Sequence, residues 1–264
     1  MTNSHPNVLI LRAPGTNCDR ETAYAFEQAG AGVELVHVNR VLEQPGLFDR
    51  FQILCIPGGF SYGDDVAAGR IFANQFRHHL DEQLNRFKDA GKIILGICNG
   101  FQVLLKSGVL LEETPETGPP ATLTWNDSGR FEDRWVQLSA GQSDCVLLRG
   151  IESMYLPVAH AEGKFVTRDE GVLAALDRGK QLALRYRCQV VPANADGPVP
   201  YPDNPNGSVA DIAGVCDTTG RVLGLMPHPE RHIDRTQHPR WTRGEGRQPG
   251  DGMQIFLNAV EYFA

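Results

Sequence analysis

Largely apolar stretches of strand length punctuate the first hundred positions: Asn7–Ala13, the most continuous of them, then Val33–Val38, Phe51–Ile56 and Lys92–Ile97. A run without polar alternation is what a strand covered on both faces requires. Between these runs apolar residues recur at helical spacing. The stretch Asp19–Ala29 sets Ala23, Phe26 and Ala29 on one side and stops at Gly30, a residue that ends helices readily. A longer helical stretch covers about Val66–Ala90, and a short one, Phe101–Lys106, follows Cys98-Asn99-Gly100. Strands alternating with helices predict βαβ units and a mainly parallel sheet.

After about residue 120 the rhythm changes. Thr122–Leu138, Met154–Val166 and Gln181–Tyr186 are partly polar and read as strands added antiparallel to the sheet. Ala193–Ser208, crowded with Pro, Asn, Gly and Asp, reads as a surface loop. Ala210–Cys216 and Arg221–Leu225 flank Asp217-Thr218-Thr219-Gly220, a hairpin signal. A second polar loop, Gln237–Asp251, precedes a final amphipathic helix at about Met253–Phe263. No repeat, low-complexity tract or interdomain linker interrupts the chain. The expectation is one α/β domain over residues 1–264, a mainly parallel central sheet flanked by helices with antiparallel additions.

Composition narrows the field of partners. The 264 residues carry 25 Lys plus Arg against 32 Asp plus Glu, a net charge of −7. That balance argues against nucleic acid or an anionic membrane as the main partner. No apolar run reaches the roughly 18–20 residues of a membrane helix. The polar start, Met1 to Asn7, leads straight into an apolar strand, so no secretory leader is expected and the expected location is the cytoplasm. Cys18, Cys55, Cys98, Cys145, Cys188 and Cys216 form no CxxC pair and are widely spaced. They suit neither a zinc knuckle nor a disulfide framework, and most are expected to be small buried hydrophobes.

One of the six stands in a distinctive context. Gly96-Ile97-Cys98-Asn99-Gly100 joins an apolar strand to a helix in the pattern G-x-C-x-G, the thiol counterpart of a nucleophile elbow. A sharp strand-to-helix turn strains the nucleophile's backbone, and glycines on either side leave room for neighbouring chain. The sulfur then sits at a helix N-terminus, where a thiolate is favoured. A Cys buried in a glycine-flanked turn is the alternative. A thiol nucleophile needs a base, and of the 8 His His228 is singled out. Met226-Pro227-His228-Pro229-Glu230 follows an apolar strand, its prolines suppress helix, and His228 and Glu230 project to the same side of extended chain. Glu230 can then orient the imidazole as the acid does in a triad; a rigid turn with a surface His–Glu pair is the alternative. The Asn99 N–H, together with Gly58-Gly59 at the end of the preceding strand, suits an oxyanion hole with close backbone approach to a ligand, though an ordinary strand-end turn has the same letters.

With Cys98, His228, Glu230 and Gly58-Gly59 together, the chain resembles the class I, triad-type glutamine amidotransferases. Within them it is similar to the glutaminase subunits of phosphoribosylformylglycinamidine synthases. The strings that carry the likeness run from Pro14-Gly15-Thr16-Asn17-Cys18-Asp19 through Pro57-Gly58-Gly59-Phe60-Ser61-Tyr62-Gly63-Asp64 and Gly96–Gln102. They continue with Asn126-Asp127-Ser128-Gly129-Arg130-Phe131, Ala159-His160-Ala161-Glu162-Gly163, Tyr201–Ser208 and Met226–Arg231. The resemblance implies a flavodoxin-like fold and hydrolysis of glutamine to glutamate and ammonia through a thioester on Cys98. His228 and Glu230 complete the triad, and the N–H groups of Gly59 and Asn99 hold the oxyanion. It further implies that Gly58, Gln102, Asn126, Ser128, Arg130 and Phe131 help hold the glutamine. No cofactor is implied for this chain. ATP and Mg²⁺ are implied for a partner synthetase subunit that converts formylglycinamide ribonucleotide, with a small bridging subunit between the two; the chain has no Walker-type phosphate loop.

Several features depart from that pattern or lie outside it. Ala161 stands where the family commonly has Gly, and the chain is longer than compact members around Gln237–Asp251. Arg231, Arg235, Arg240, Arg243 and Arg247 cluster there, as a docking surface for the synthetase or as a solvated loop. His160 and Glu162 read equally as contact residues or as a structural pair. Two other functions keep the same letters: a class I glutaminase serving another synthetase, and a non-enzymatic binding protein of the same fold that retains a reactive Cys.

Overall fold

The apolar runs become the middle of a nine-stranded sheet in the computed structural model, which describes residues 5–64, 67–114, 116–189 and 197–264. The strands β1 (Asn7–Arg12), β2 (Gly32–His37), β3 (Ile53–Ile56) and β4 (Ile93–Ile97) pair in parallel. A late strand, β11 (Val222–Leu225), joins them parallel to β4. The order β2-β1-β3-β4-β11 continues through β10 (Ile212–Cys216), β9 (Leu182–Arg187), β6 (Glu132–Ala140) and β7 (Ser153–His160), each antiparallel to its neighbour. The parallel half thus has the flavodoxin-type order, and the added strands extend it on one side only. The helices α1 (Asp19–Gln28), α2 (Val38–Glu43), α3 (Arg70–Gln75), α4 (Asp81–Asp89), α5 (Asn99–Ser107) and α7 (Met253–Glu261) accompany the parallel half.

Burial follows from that layering. Every residue of β3, β4 and β11 is buried, because helices cover both faces. By contrast β2 is an edge, and Glu34 and Leu35 within it are exposed. Phe26 and Phe256 pack edge to face between α1 and α7, their ring centroids 4.9 Å apart, which ties the C-terminal helix to the first.

Several expectations meet corrections. The stretch expected as one helix from Val66 to Ala90 starts at Arg70, after Gly69 in a left-handed conformation, and is widened by a π-turn over Phe76–Leu80 between α3 and α4. Val66 itself lies outside the described residues. Buried Phe72, Phe76, Leu80 and Leu84 recur every four positions, a period longer than the 3.6 residues of an α-helix, so a wide turn keeps them on the core side. Thr122–Leu138 is not one strand: the turn 125–131 divides β5 (Ala121–Thr124) from β6. Met154–Val166 likewise breaks at 161–163 into β7 and β8 (Lys164–Thr167), and β5 and β8 form a separate two-stranded sheet. An unexpected helix, α6 (Glu170–Arg178), follows Asp169, whose side chain accepts from the Val172 N–H at 2.8 Å, a cap that stabilises its first turn. The hairpin signal Asp217–Gly220 does join β10 to β11. Of the loop read at Ala193–Ser208, residues 193–196 lie outside the described residues, as do Met1–Ser4 of the polar start. Among the described residues no helix is long and apolar enough to cross a membrane.

Candidate active site

The carboxyl ends of β1, β3, β4 and β11 lie side by side, the edge where open α/β sheets bind ligands. Four segments emerge there in spatial order: Pro14–Cys18, Pro57–Phe60, Cys98–Gly100 and Met226–Glu230. The register that pairs Ile56 with Gly96 and Leu225 with Ile97 brings the last three to one level.

Cys98 caps α5 with φ 52° and ψ −105°, a conformation that a non-glycine residue adopts only under constraint and that clusters at functional positions. The constraint is visible on both sides. The Cys98 N–H donates to the Leu225 carbonyl at 2.8 Å, and a Cβ added at Gly100 would lie 1.9 Å from the Ile56 carbonyl oxygen. The helix can press against β3 only because residue 100 is glycine, which is the physical content of the G-x-C-x-G spacing. Cys98 is 5% exposed, and its sulfur lies 3.7 Å from the Ala159 carbonyl oxygen.

His228 and Glu230 are buried at the end of β11. The His228 N–H donates to the Pro157 carbonyl at 2.9 Å, so β7 fixes the turn from the far side. Nδ1 and the Glu230 Oε1 are 2.6 Å apart, leaving Nε2 as the nitrogen free for Cys98; it has no hydrogen-bond partner among the described residues. Burial works against a charged ring here, but the Glu230 carboxylate and then Cys98 and Cys18 outweigh it and hold the imidazole well above its ordinary basicity. Cys98 and His228 meet over Gly58: a Cβ there would lie 2.7 Å from His228 Cε1 and 3.4 Å from Cys98 Cβ. Gly58 is therefore the floor between the Cys98 side chain and the His228 ring. The next residue, Gly59, has φ +140°, and neither its N–H nor that of Asn99 finds an acceptor among the described residues, as two oxyanion donors require.

The remaining expected residues divide. Gln102 is buried, donating to the Glu162 carbonyl at 2.7 Å and accepting from Asn99 Nδ2 at 2.9 Å. Asn126 is buried and fully engaged within the protein. Its Nδ2 donates to the Arg130 and His160 carbonyls, and its Oδ1 accepts from the Gly163 N–H and lies 3.1 Å from His160 Nδ1. It shapes the turn that carries Ser128, Arg130 and Phe131, all exposed. Phe131 stands 6.3 Å, centroid to centroid, from Phe60, which follows Gly59. His160 is held down to about 3 by burial and by His228, so it is neutral and serves the turn. Glu162 faces Lys106 at 4.0 Å and the Ala68 N–H at 3.5 Å. Of the arginine cluster, Arg231 turns inward to Glu21, while Arg240 and Arg247 pair with Glu245 and Asp251.

Two residues at this edge escaped sequence reasoning. Cys18, left undecided among the six thiols, lies 4.0 Å from His228 Nδ1; its place just beyond β1, matching that of Cys98 beyond β4, was the available signal. Asp64, at φ 54°, accepts from Asn99 Nδ2 at 3.2 Å. Burial first, and then the Glu162 carboxylate, push its carboxyl up to about 6 from 3.8. Folding thus favours its neutral form, and its charge costs stability above about pH 6 and none below about pH 4. Asp64→Asn keeps an acceptor and tolerates the left-handed backbone. It is expected to stabilise the fold by about 1 kcal/mol at pH 8, after allowance for solvent screening, and not at pH 4, read as a rise in thermal midpoint at the higher pH alone. Equal changes at the two pH values would exclude this origin.

Comparison with known proteins follows the same lines. A family model described as the CobB/CobQ-like glutamine amidotransferase domain matches residues 5–263. A curated protein of Dehalococcoides mccartyi, phosphoribosylformylglycinamidine synthase subunit PurQ, is 47% identical over 262 residues, 98% of this chain and 98% of the relative. The protein of the same name from Methanococcus maripaludis is 41% identical over 270 residues, 98% of this chain and 97% of the relative. Among solved structures, a chain of PurLQS from Thermotoga maritima aligns with a TM-score of 0.73 at 30% identity, covering 99% of this chain and 100% of that one.

Proposed function

The chain belongs to the glutamine amidotransferase domain family, and on that footing we propose that it is the ammonia-producing subunit of a phosphoribosylformylglycinamidine synthase. It hydrolyses glutamine and hands ammonia to a synthetase subunit that converts formylglycinamide ribonucleotide to formylglycinamidine ribonucleotide. The observation that carries the reading is the buried His228–Glu230 pair, 2.6 Å apart, set across Gly58 from a nucleophile held at φ 52°.

The residues divide the work as follows. The Cys98 sulfur attacks the side-chain carbonyl carbon of glutamine while His228 Nε2 takes the thiol proton. The Gly59 and Asn99 N–H groups receive the negative oxygen. His228 returns the proton to the amide nitrogen, the C–N bond breaks, and ammonia leaves, with the acyl group now a thioester on Cys98. His228 then takes a proton from water, which adds to the thioester; collapse restores the thiol and releases glutamate. Glu230 keeps Nδ1 hydrogen-bonded throughout, so that Nε2 alone exchanges protons. Gly58 and Gln102 line the substrate's approach, with Ser128, Arg130 and Phe131 on the turn that Asn126 holds.

In this proposal residues 1–264 act as one glutamine amidotransferase domain in the cytoplasm. ATP and Mg²⁺ are bound by the synthetase, and a small third subunit bridges the two. Ammonia must travel uncharged, since ammonium is not nucleophilic, which is why the glutaminase docks rather than working apart. Mixing the chain with the synthetase, ATP, Mg²⁺ and formylglycinamide ribonucleotide is expected to give product from glutamine. Product formed from added ammonium salt but never from glutamine would sink the assignment and direct attention to another synthetase.

A further inference from the structure

Cys18 is buried to the same degree as the structural thiol Cys55, at 1% and 0% exposure, yet its surroundings are unlike a core thiol's. Cys55 lies inside β3 among apolar neighbours. Cys18 lies just beyond β1, its N–H donating to the Gly58 carbonyl at 3.2 Å. Its sulfur accepts from Arg231 Nη2 at 3.2 Å, faces Asn17 Oδ1 at 3.3 Å and lies 4.0 Å from His228 Nδ1. Arg231 in turn donates from Nε to Glu21 Oε1 at 2.9 Å, anchoring the turn that carries His228 and Glu230 to α1. The thiol and the imidazole share the space left by Gly58, where a Cβ would lie 3.1 Å from the sulfur and 2.7 Å from the ring.

We propose that Cys18 is a positioning residue: with Arg231 it holds the His228 ring on the Glu230 carboxylate, so that Nε2 stays aimed at Cys98. This rests on the assignment of His228 as the base. The distances distinguish positioning from a second nucleophile. Nδ1 is already committed to Glu230 at 2.6 Å, and a sulfur 4.0 Å away packs against that edge of the ring without competing for its proton. A large, polarisable atom suits the task, because it fills the space beside Nδ1 while offering only a weak acceptor. Burial keeps the thiol from ionising by raising it above its ordinary range, and the guanidinium accounts for its remaining capacity as an acceptor. The titratable and charged groups facing the ring are Glu230 and Arg231 from its own turn, Cys18 beyond β1, Cys98 at the start of α5 and His160 at the end of β7.

The test uses the chain in complex with its synthetase and follows kcat and KM for glutamine across pH. Cys18→Ala is expected to lower kcat about tenfold, well inside the roughly hundredfold that a 1 Å misplacement can cost, with KM within twofold. Its acid limb should move to lower pH, because the base that must be unprotonated loses a neighbour that favours its proton. Cys18→Ser, which keeps an acceptor for Arg231, should recover part of the loss. Arg231→Gln changes a side chain that is 35% exposed and leaves the core filled, so it decides the matter if Cys18→Ala does not fold; it too should lower kcat at unchanged KM. Wild-type kcat and an unmoved acid limb in every folded variant would overturn the proposal. Retention of glutaminase activity by Cys98→Ala in the same assay would show instead that the underlying assignment of the triad is wrong.

Discussion

Cys98→Ala is expected to stop glutamine hydrolysis, with a loss of roughly 10⁴-fold or more, because the other thiol at this edge, Cys18, lies on the Nδ1 side of the ring that Glu230 already holds. The variant should fold. Alanine is no more strained at φ 52° than cysteine, and the backbone bond to Leu225 and the packing of Gly100 under α5 do not involve the sulfur. Synthesis driven by added ammonia should therefore survive in the complex while synthesis driven by glutamine does not. Acid quenching of the wild type during turnover should trap a glutamyl adduct on the peptide containing Cys98 and on no other cysteine. The contrast is Cys55→Ala, which removes a fully buried side chain from β3. It should destabilise by about 2 kcal/mol yet leave the activity of the folded protein intact. Hydrolysis persisting in Cys98→Ala would eliminate the mechanism outright.

The contrast between those two thiols also shows what the sequence made legible. A strand buried on both faces writes itself as an unbroken apolar run, so β1, β3 and β4 were visible, and with them the edge where Cys98 emerges. The elbow was readable because its glycines answer a steric demand at fixed spacing: Gly100 meets Ile56 and Gly96 meets Leu104. His228 was readable from prolines that can do only a few things to a backbone. The antiparallel half was harder. Its strands end at turns such as 125–131 and 161–163, and the turn residues Asn126-Asp127-Ser128-Gly129 of the first were read as part of one partly polar strand. Its small sheet pairs β5 with β8 across forty residues, a contact that no local pattern announces. Asn126 was named as a substrate ligand because the family resemblance implies that role. Its amide is spent on the Gly163, His160 and Arg130 backbones and on the His160 ring, and only the fold reveals that such a side chain is occupied. Cys18 was left undecided for the same reason, since its partners lie 210 and 213 residues away.

Glu230→Gln should have the next largest effect, and its direction follows from the 2.6 Å contact with His228 Nδ1. The amide preserves shape but not charge. If its oxygen faces Nδ1, the ring keeps its tautomer and loses the carboxylate that favours the protonated form. If its nitrogen does, Nδ1 becomes the acceptor and Nε2 carries the proton, the wrong arrangement for a base. Both routes lower kcat, by about 10²–10⁴-fold, while KM changes little because Glu230 touches no substrate. The pH profile separates this from a loss of packing. Burial opposes the charged imidazole and Glu230 is the largest influence that favours it, so removing the carboxylate lowers the ring's basicity and moves the acid limb of kcat, which reports the base that must be unprotonated, to lower pH. Stability should follow the same sign. A histidine whose folded basicity is raised contributes stability in full below its unfolded value of about 6.5 and loses that contribution as pH rises through the folded value. The Glu230→Gln penalty in thermal midpoint should accordingly be larger at pH 6 than at pH 10. A kcat within tenfold of wild type, with the limb unmoved, would mean that Glu230 merely fills space beneath the turn and that His228 is oriented by some other group.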